Sequence, residues 1–368
     1  MSHIIVVGGG ILGMLTAREL IQSNYQVTLL EQGQLARESS WAGGGILSPL
    51  YPWRYPDSVT RLASWSQQFY PELCQSLLQT TGINPEYTQN GMLVIASDEQ
   101  SAALNWAKRH DRQMEIISRA VCTQLEPALA EPTPYAIWMP AVGQVRNPRL
   151  GKALAADIAQ RGVCISTGHP VTGLHLSNGQ VRGVLRDSAK LEADAVIICA
   201  GAWTAELLAA YLPTPMIKPI RGQMLLFKTE PGAIRRIVLE ANRYVIPRRD
   251  GYTLFGSTLE ESGFDKSTTP AARLELTTLA IKRFPILQHR PVVKQWAGLR
   301  PGSPAGIPYI APHPELKGLY INAGHFRNGV VLGLASARLM ADIVTGSHPI
   351  VAPEPYTLTA ARDSSSLI

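Results

Sequence analysis

The chain has 368 residues, more than one hydrophobic core usually organises, so two domains are expected. Apolar residues make up 45% and charged residues 17%, which excludes a disordered or fibrous chain and describes a globular protein with a large core. The net charge of +6 is spread without any block of like charges, so no nucleic acid is expected as a partner.

The N-terminus, MSHIIVVGGGILGMLTA, is apolar but lacks a cationic start, and glycines break the run. No stretch is expected to supply the roughly 20 apolar residues that cross a bilayer, so a cytoplasmic protein with no membrane partner is expected. Cys74, Cys122, Cys164 and Cys199 show no metal-ligand spacing and are expected to be small buried hydrophobes in a reducing compartment; no metal is expected.

Residues 4–7, IIVV, form the continuous apolar run of a parallel strand buried on both faces. Gly8, Gly9, Gly10 and Gly13 follow at once, then a helical pattern, then a second strand, QVTLLE, ending at Glu31. This strand–turn–helix–strand–acid order is the setting in which G-x-G-x-x-G binds a dinucleotide. Gly8 allows the turn, Gly10 lets the backbone approach a pyrophosphate, and Gly13 lets helix and strand pack closely. The helix start at Ile11 and Leu12 offers N–H groups and positive dipole to the phosphates. Glu31, followed by Gln32, is placed to accept from the ribose hydroxyls. The motif alone leaves NAD and FAD both open.

A second glycine cluster, ESSWAGGGILSP over 38–49, favours the longer flavin dinucleotide, whose tricyclic ring must be approached by backbone. Ser39 and Ser40 are expected near the phosphates, and Gly44, Gly45 and Ile46 along the ring. Residues 148–161 are expected as a helix with Asn147 as cap and Pro148 at its first position. VTGLHL, beginning at Val171, the Asn178-Gly179 turn and VRGVLR read as a hairpin. ADAVIICAGAWT carries a buried strand into Ala200, Gly201 and Ala202, small enough for close approach to a dinucleotide. RGQMLLF, RYVIPR, YTLFGS and VVKQWAGL are strand-like, with a turn at Arg249-Asp250-Gly251. Near the C-terminus, GLYINAGHFRNGVVLGLASARLMADIVTG repeats strand–glycine–helix, and the tail RDSSSLI is expected to be disordered.

With these residues in view, the chain resembles the FAD-dependent amine oxidases that include D-amino-acid oxidase, sarcosine oxidase and glycine oxidase, and most of all the glycine oxidases of thiamine biosynthesis. The likeness runs from VVGGGILG through WAGGGILSP, VRNPRL, CAGAW, RGQM, RYVIPRRDG, WAGLRPGSP and GHFRNGVVL. It implies an α/β fold: a Rossmann-type FAD domain (1–84, 146–215 and 306–368) with an inserted α+β substrate domain (85–145 and 216–305) built on an antiparallel sheet. It also implies that Arg300 grips the substrate carboxylate, that Arg327 stands beside substrate and flavin, and that Tyr244 lies in the active site. Val171, His325, Phe326, Asn328, Gly329, Val330 and Val331 would belong to the cofactor site. Where other members carry an aromatic or basic side chain upstream of that tyrosine, this chain has Leu239 and Asn242. No cysteine follows Cys199, so FAD should be non-covalent. A homo-oligomer and a hand-off of product to a thiazole synthase are further implications.

Residue chemistry agrees independently. A planar carboxylate is best held by a bidentate guanidinium, and Arg300, between Leu299 and Pro301, needs an anionic partner. The N-terminus of a helix starting near Gly329 would favour the negative charge of a reduced flavin, with His325 and Asn328 shaping the turn. The expected reaction takes hydride from the Cα of a neutral small amino acid, gives the imine, and reoxidises the flavin with dioxygen to hydrogen peroxide. Sarcosine or D-amino-acid oxidation, and amino-acid dehydrogenation coupled to quinone, are the alternatives.

Overall fold

The computed structural model describes residues 2–95, 98–130, 133–187 and 189–362; the expectation for the tail beyond Arg362 lies outside them. In chain order the elements begin with β1 (His3–Val7), α1 (Ile11–Gln22), β2 (Gln26–Glu31), α2 (Ser39–Ala42) and α3 (Asp57–Thr81). There follow β3 (Met92–Ile95), α4 (Gln100–Arg109), β4 (Glu115–Ser118), α5 (Arg119–Leu125) and β5 (Tyr135–Met139). Next come α6 (Asn147–Gln160), β6 (Cys164–Thr167), β7 (Val171–Ser177), β8 (Gln180–Arg186), β9 (Ala189–Glu192), β10 (Ala195–Ile198) and α7 (Thr204–Leu207). The last stretch holds β11 (Lys218–Lys228), β12 (Ile237–Glu240), β13 (Arg243–Pro247), β14 (Tyr252–Gly256), α8 (Pro270–Arg283), β15 (Val292–Gly302), β16 (Tyr309–Pro312), β17 (Leu319–Ala323) and α9 (Gly329–Thr345).

These strands form three sheets. The first has the order β16-β17-β10-β1-β2-β6 and is parallel except at the β16–β17 pair. Its inner strands are buried on both faces, which is why IIVV and AVII lack polar alternation. The second sheet, β15-β11-β14-β13-β12-β3-β5-β4, is antiparallel except where β12 meets β3. The third is β7-β8-β9, and Asn178 and Gly179 turn its hairpin with positive φ (52° and 71°), as the Asn-Gly pair requires. The fold is thus the expected α/β arrangement, a Rossmann-type parallel sheet beside a mainly antiparallel one.

Three sequence expectations change. Residues 326–345 form 20 residues of helix with mean hydropathy 1.2, long and apolar enough to cross a bilayer by that count. In the fold, however, 67% of the 18-residue apolar window within it is buried inside the protein, and α9 packs against α1 and α3. Uniform apolarity there reflects burial on several sides rather than contact with lipid. Cys164 is exposed, because β6 is an edge strand; Cys74, Cys122 and Cys199 are buried as expected. Arg362, at the start of the tail, is held: its guanidinium lies 3.7 Å from the Tyr309 ring centroid and donates to the Pro308 carbonyl at 3.1 Å.

Candidate active site

A cavity of about 540 Å³ lies between the carboxyl ends of the parallel strands and one face of the antiparallel sheet. Open α/β sheets place ligands at that end, where successive strands splay their connections apart. Here β1 and β2 contribute Val7 and Leu30, Cys199 follows the end of β10, and the run Asn322–Gly324 spans the end of β17, while β11, β13 and β15 contribute Met224, Tyr244 and Arg300.

At one end the wall is mostly backbone. Gly8 has φ +111°, and a Cβ there would strike the Cys199 carbonyl. A Cβ on Gly13 would strike the Gly8 carbonyl oxygen, so helix and turn touch with no room for a side chain. The Ile11 N–H, at the start of α1, donates to Ser40 Oγ at 2.9 Å. Glu31 accepts from the N–H of Gly9 at 2.7 Å and of Gly33 at 2.8 Å, one bond to each carboxylate oxygen. A carboxylate oxygen can accept a second bond, so Glu31 keeps capacity for a hydroxyl.

The second glycine cluster closes over the middle of the cavity. A Cβ on Gly44 would collide with Ile246, so the loop lies flush on β13. Asn147, expected to cap α6, is instead its first residue, with Arg146 at the cap. Its Nδ2 donates to the Ser40 carbonyl at 2.9 Å, so the side chain braces the loop that leads into Gly43–Ile46.

At the other end Arg300 reaches across β11. Its Nη1 donates to the carbonyls of Arg221 and Thr258, each at 3.3 Å, and its Nη2 to Ser257 Oγ at 2.5 Å. All three acceptors are neutral, and among the described residues no carboxylate forms an ion pair with Arg300. Burial pushes the Arg300 pKa down; the adjacent Tyr244 hydroxyl opposes that, and the nearby Arg327 charge adds to it. Two cations and a phenol therefore converge where an anion would relieve them. The Tyr51 hydroxyl, also near Arg327, accepts from the Asn242 N–H at 3.4 Å. Leu239 is buried and Asn242 sits in the β12–β13 turn with φ 64°, and neither lines the cavity.

Of the residues read from sequence, Gly8, Gly10, Ile11, Leu12, Glu31, Gln32, Ser39, Ser40, Gly44, Gly45, Ile46, Val171 and Gly201 line this cavity. So do Tyr244, Arg300, His325, Phe326, Arg327, Gly329 and Val330. Gly13, Asn328 and Val331 do not. Gly13 packs under the first turn, while the Asn328 N–H closes a turn onto the His325 carbonyl at 2.9 Å. Val331 belongs to the core around α1. His325 is buried, its Nε2 is 2.9 Å from Ser336 Oγ, and burial lowers its pKa to about 3, so the ring is neutral. Helix α9 starts at Gly329 as expected, behind a 3₁₀ turn at Phe326–Asn328.

Sequence reasoning missed Gly222, Gly298, Met224, Trp203, Tyr51 and Ser257. A signal existed for two of them, since glycine inside a strand marks close approach. Gly222 and Gly298 pair across β11 and β15; the Arg300 guanidinium crosses one and Ala42 packs on the other.

The sequence profile of the DAO family, described as FAD dependent oxidoreductase, matches residues 3–343. The chain belongs to this family. A glycine oxidase of Pseudomonas putida KT2440 is 46% identical over 356 residues, covering 96% of this chain and 98% of that one. A bifunctional protein ThiO/ThiG of Trichormus variabilis is 31% identical over 362 residues, covering 96% of this chain and 54% of its own length. The crystal structure of glycine oxidase from Geobacillus kaustophilus superposes with a TM-score of 0.91 at 26% identity, covering 98% of this chain and all of that one. As a DAO-family member the chain is an FAD-dependent oxidoreductase. The cavity is built to suit that cofactor: a glycine trough that a Cβ would fill, a helix N-terminus beside it, and an open Gly201 whose added Cβ would meet nothing within 4 Å.

Proposed function

We propose that this chain oxidises glycine, and other small primary or secondary amino acids, to the imine or its oxo acid, with dioxygen reduced to hydrogen peroxide. The observation that carries this reading is Arg300: a partly buried guanidinium with only neutral partners, beside Tyr244 and Arg327, in the same cavity as the glycine trough. An amino acid's carboxylate is the fitting anion, bound by charge-assisted bonds from Arg300 and a hydrogen bond from Tyr244, with Arg327 adding positive charge. We assign FAD, held without a covalent bond, to the trough formed by Gly8, Gly10, Ile11, Leu12, Glu31, Gln32, Ser39 and Ser40. Gly44, Gly45, Ile46, Val171, Gly201, His325, Phe326, Arg327, Gly329 and Val330 complete its wall, and Gly13, Asn328 and Val331 hold that wall in place.

When bound, FAD takes the two electrons from the substrate and passes them to dioxygen. The chain's own contribution is to fix the carboxylate and so present Cα and the amine. Oxidation of the carbon–nitrogen bond needs the amine's lone pair, so the amine must be neutral. Glu31 is tied to Gly9 and Gly33, Glu38 to Lys266, and neutral His325 to Ser336. We assign no side chain as general base, and activity should rise with pH as the bound amine loses its proton.

Two units accompany this reading. The parallel sheet draws its strands from within 1–84, 146–215 and 306–368, the cofactor-binding unit, and the eight-stranded sheet from within 85–145 and 216–305, the substrate-binding unit. A homo-oligomeric enzyme in the cytoplasm, supplying an imine to a thiazole synthase, completes the proposal; the name ThiO/ThiG of the bifunctional relative supports the last part. The test is to mix the FAD-loaded protein with glycine without oxygen and follow the flavin absorbance. Bleaching reversed by air, with peroxide formed, is expected. A yellow protein that glycine does not bleach rejects glycine as substrate.

A further inference from the structure

Arg248 is a buried cation outside the substrate pocket, 7% exposed, at the end of β13. Its Nη2 donates to the Gly44 carbonyl at 2.7 Å, and its Nη1 to the Val145 carbonyl at 2.9 Å and Gln144 Oε1 at 2.6 Å. All three acceptors are neutral. The nearby acids Glu86 and Asp250 are engaged by Arg146 at 3.2 and 2.7 Å, and among the described residues no carboxylate pairs with Arg248. A buried, unpaired charge is costly, so its position calls for a reason. Burial lowers its pKa only to about 10, which leaves it protonated at neutral pH.

The reason lies in the loop it holds. The Gly44 carbonyl points to Arg248, and the Gly45 carbonyl accepts from the Val145 N–H at 2.9 Å. A trans peptide sets its N–H opposite to its C=O. The N–H of Gly45 and that of Ile46 are therefore turned away from Arg248 and Val145. Both residues line the cavity, and neither N–H has a hydrogen-bond acceptor among the described residues. Gly45, with φ +78°, lets two successive N–H groups share one concavity, an arrangement suited to an electron-rich ligand edge.

We propose that Arg248 is a positioning residue, which locks the Gly44–Gly45 peptide so that the Gly45 and Ile46 N–H groups face the polar edge of the bound flavin and favour its reduced form. This rests on the FAD site assigned above. Arg248 touches neither substrate nor cofactor; it acts through one peptide plane, whose dipole it also aligns.

The test is the midpoint potential of bound FAD in native protein, Arg248→Lys and Arg248→Met, with FAD affinity and the visible spectrum measured alongside. Losing the guanidinium should weaken reduced FAD relative to oxidised by about tenfold, a fall of about 30 mV for a two-electron couple. Arg248→Lys, which keeps the charge but not the fork, should fall between. If Arg248→Met does not fold, Arg248→Lys decides alone: an unchanged potential and spectrum overturn the proposal. Failure of the native chain to bind FAD would reject the site assignment itself. Native binding with unaltered variants rejects only the role of Arg248.

Discussion

The guanidinium of Arg300 lies over the backbone of Gly222, so close that a Cβ on Gly222 would collide with Nη1, Nη2 and Cζ. The two residues sit on the paired strands β11 and β15, where Gly222 faces Gly298, two positions before Arg300. An arginine can cross a neighbouring strand in this way only where that strand has no side chain. Gly222→Ala should therefore push Arg300 off its position while leaving the residue in place. Charge-assisted hydrogen bonds contribute about 1.5–3 kcal/mol, so KM for glycine should rise about 10-fold to 150-fold, with a smaller change in kcat. Steady-state kinetics check this, and an unchanged KM would remove Arg300 from carboxylate binding.

Tyr244 is buried against Met224, its hydroxyl 3.8 Å from the thioether sulfur and beside Arg300. Tyr244→Phe keeps the ring and its packing. Losing one hydrogen bond costs about 0.5–1.5 kcal/mol, so KM should rise about 2-fold to 12-fold while FAD binding stays as it was. A variant with unaltered KM would show that the hydroxyl does not reach the substrate.

Gly13 tests the other end of the cavity. A methyl group at this position must displace the Gly8 carbonyl, in a tightly packed turn where overpacking costs about 1–3 kcal/mol. Gly13→Ala should lower the melting temperature of the apoprotein and weaken FAD uptake together. Thermal melts with and without added FAD separate the two effects, and normal FAD affinity would contradict the assignment of the turn.

His325 makes stability depend on pH. Its folded pKa of about 3 lies below the ordinary value of 6.5, so between the two the unfolded chain binds the extra proton. Stability is fully present above the unfolded value and is lost as pH falls from there towards the folded value. Each pH unit in that window is worth about 1.4 kcal/mol, so on the order of 2 kcal/mol should go between about pH 6.5 and 5. His325→Gln should flatten that slope in denaturant titrations at the two pH values. An equal slope in both proteins would mean that other groups dominate it.

Much of this protein was legible in its sequence, for a physical reason: β1, its glycine turn, α1 and β2 are consecutive, and their pattern is local. A buried parallel strand must be apolar throughout, a dinucleotide turn must lack side chains, and both constraints appear within the first 31 residues. The Asn178-Gly179 hairpin and the start of α9 at Gly329 were readable on the same ground. Asn147 misled because its residue type fits a cap, whereas its partner, the Ser40 carbonyl, is distant in sequence. The helical run 326–345 matches a membrane segment in length and hydropathy because contact with lipid and burial in a core make the same demand on composition.

What the sequence alone determined was the chemistry available: a glycine-rich strand–turn–helix suited to a dinucleotide, and a guanidinium, Arg300, set between apolar neighbours. Only the tertiary structure decided which neighbours each group would meet. Gly222 clears the path of Arg300 from another strand, and Arg248 reaches Gly44 across 204 positions of chain. Those pairings arise when the antiparallel sheet packs against the carboxyl ends of the parallel one. No local pattern encodes them, because their energy comes from contacts that exist only once both sheets are in place.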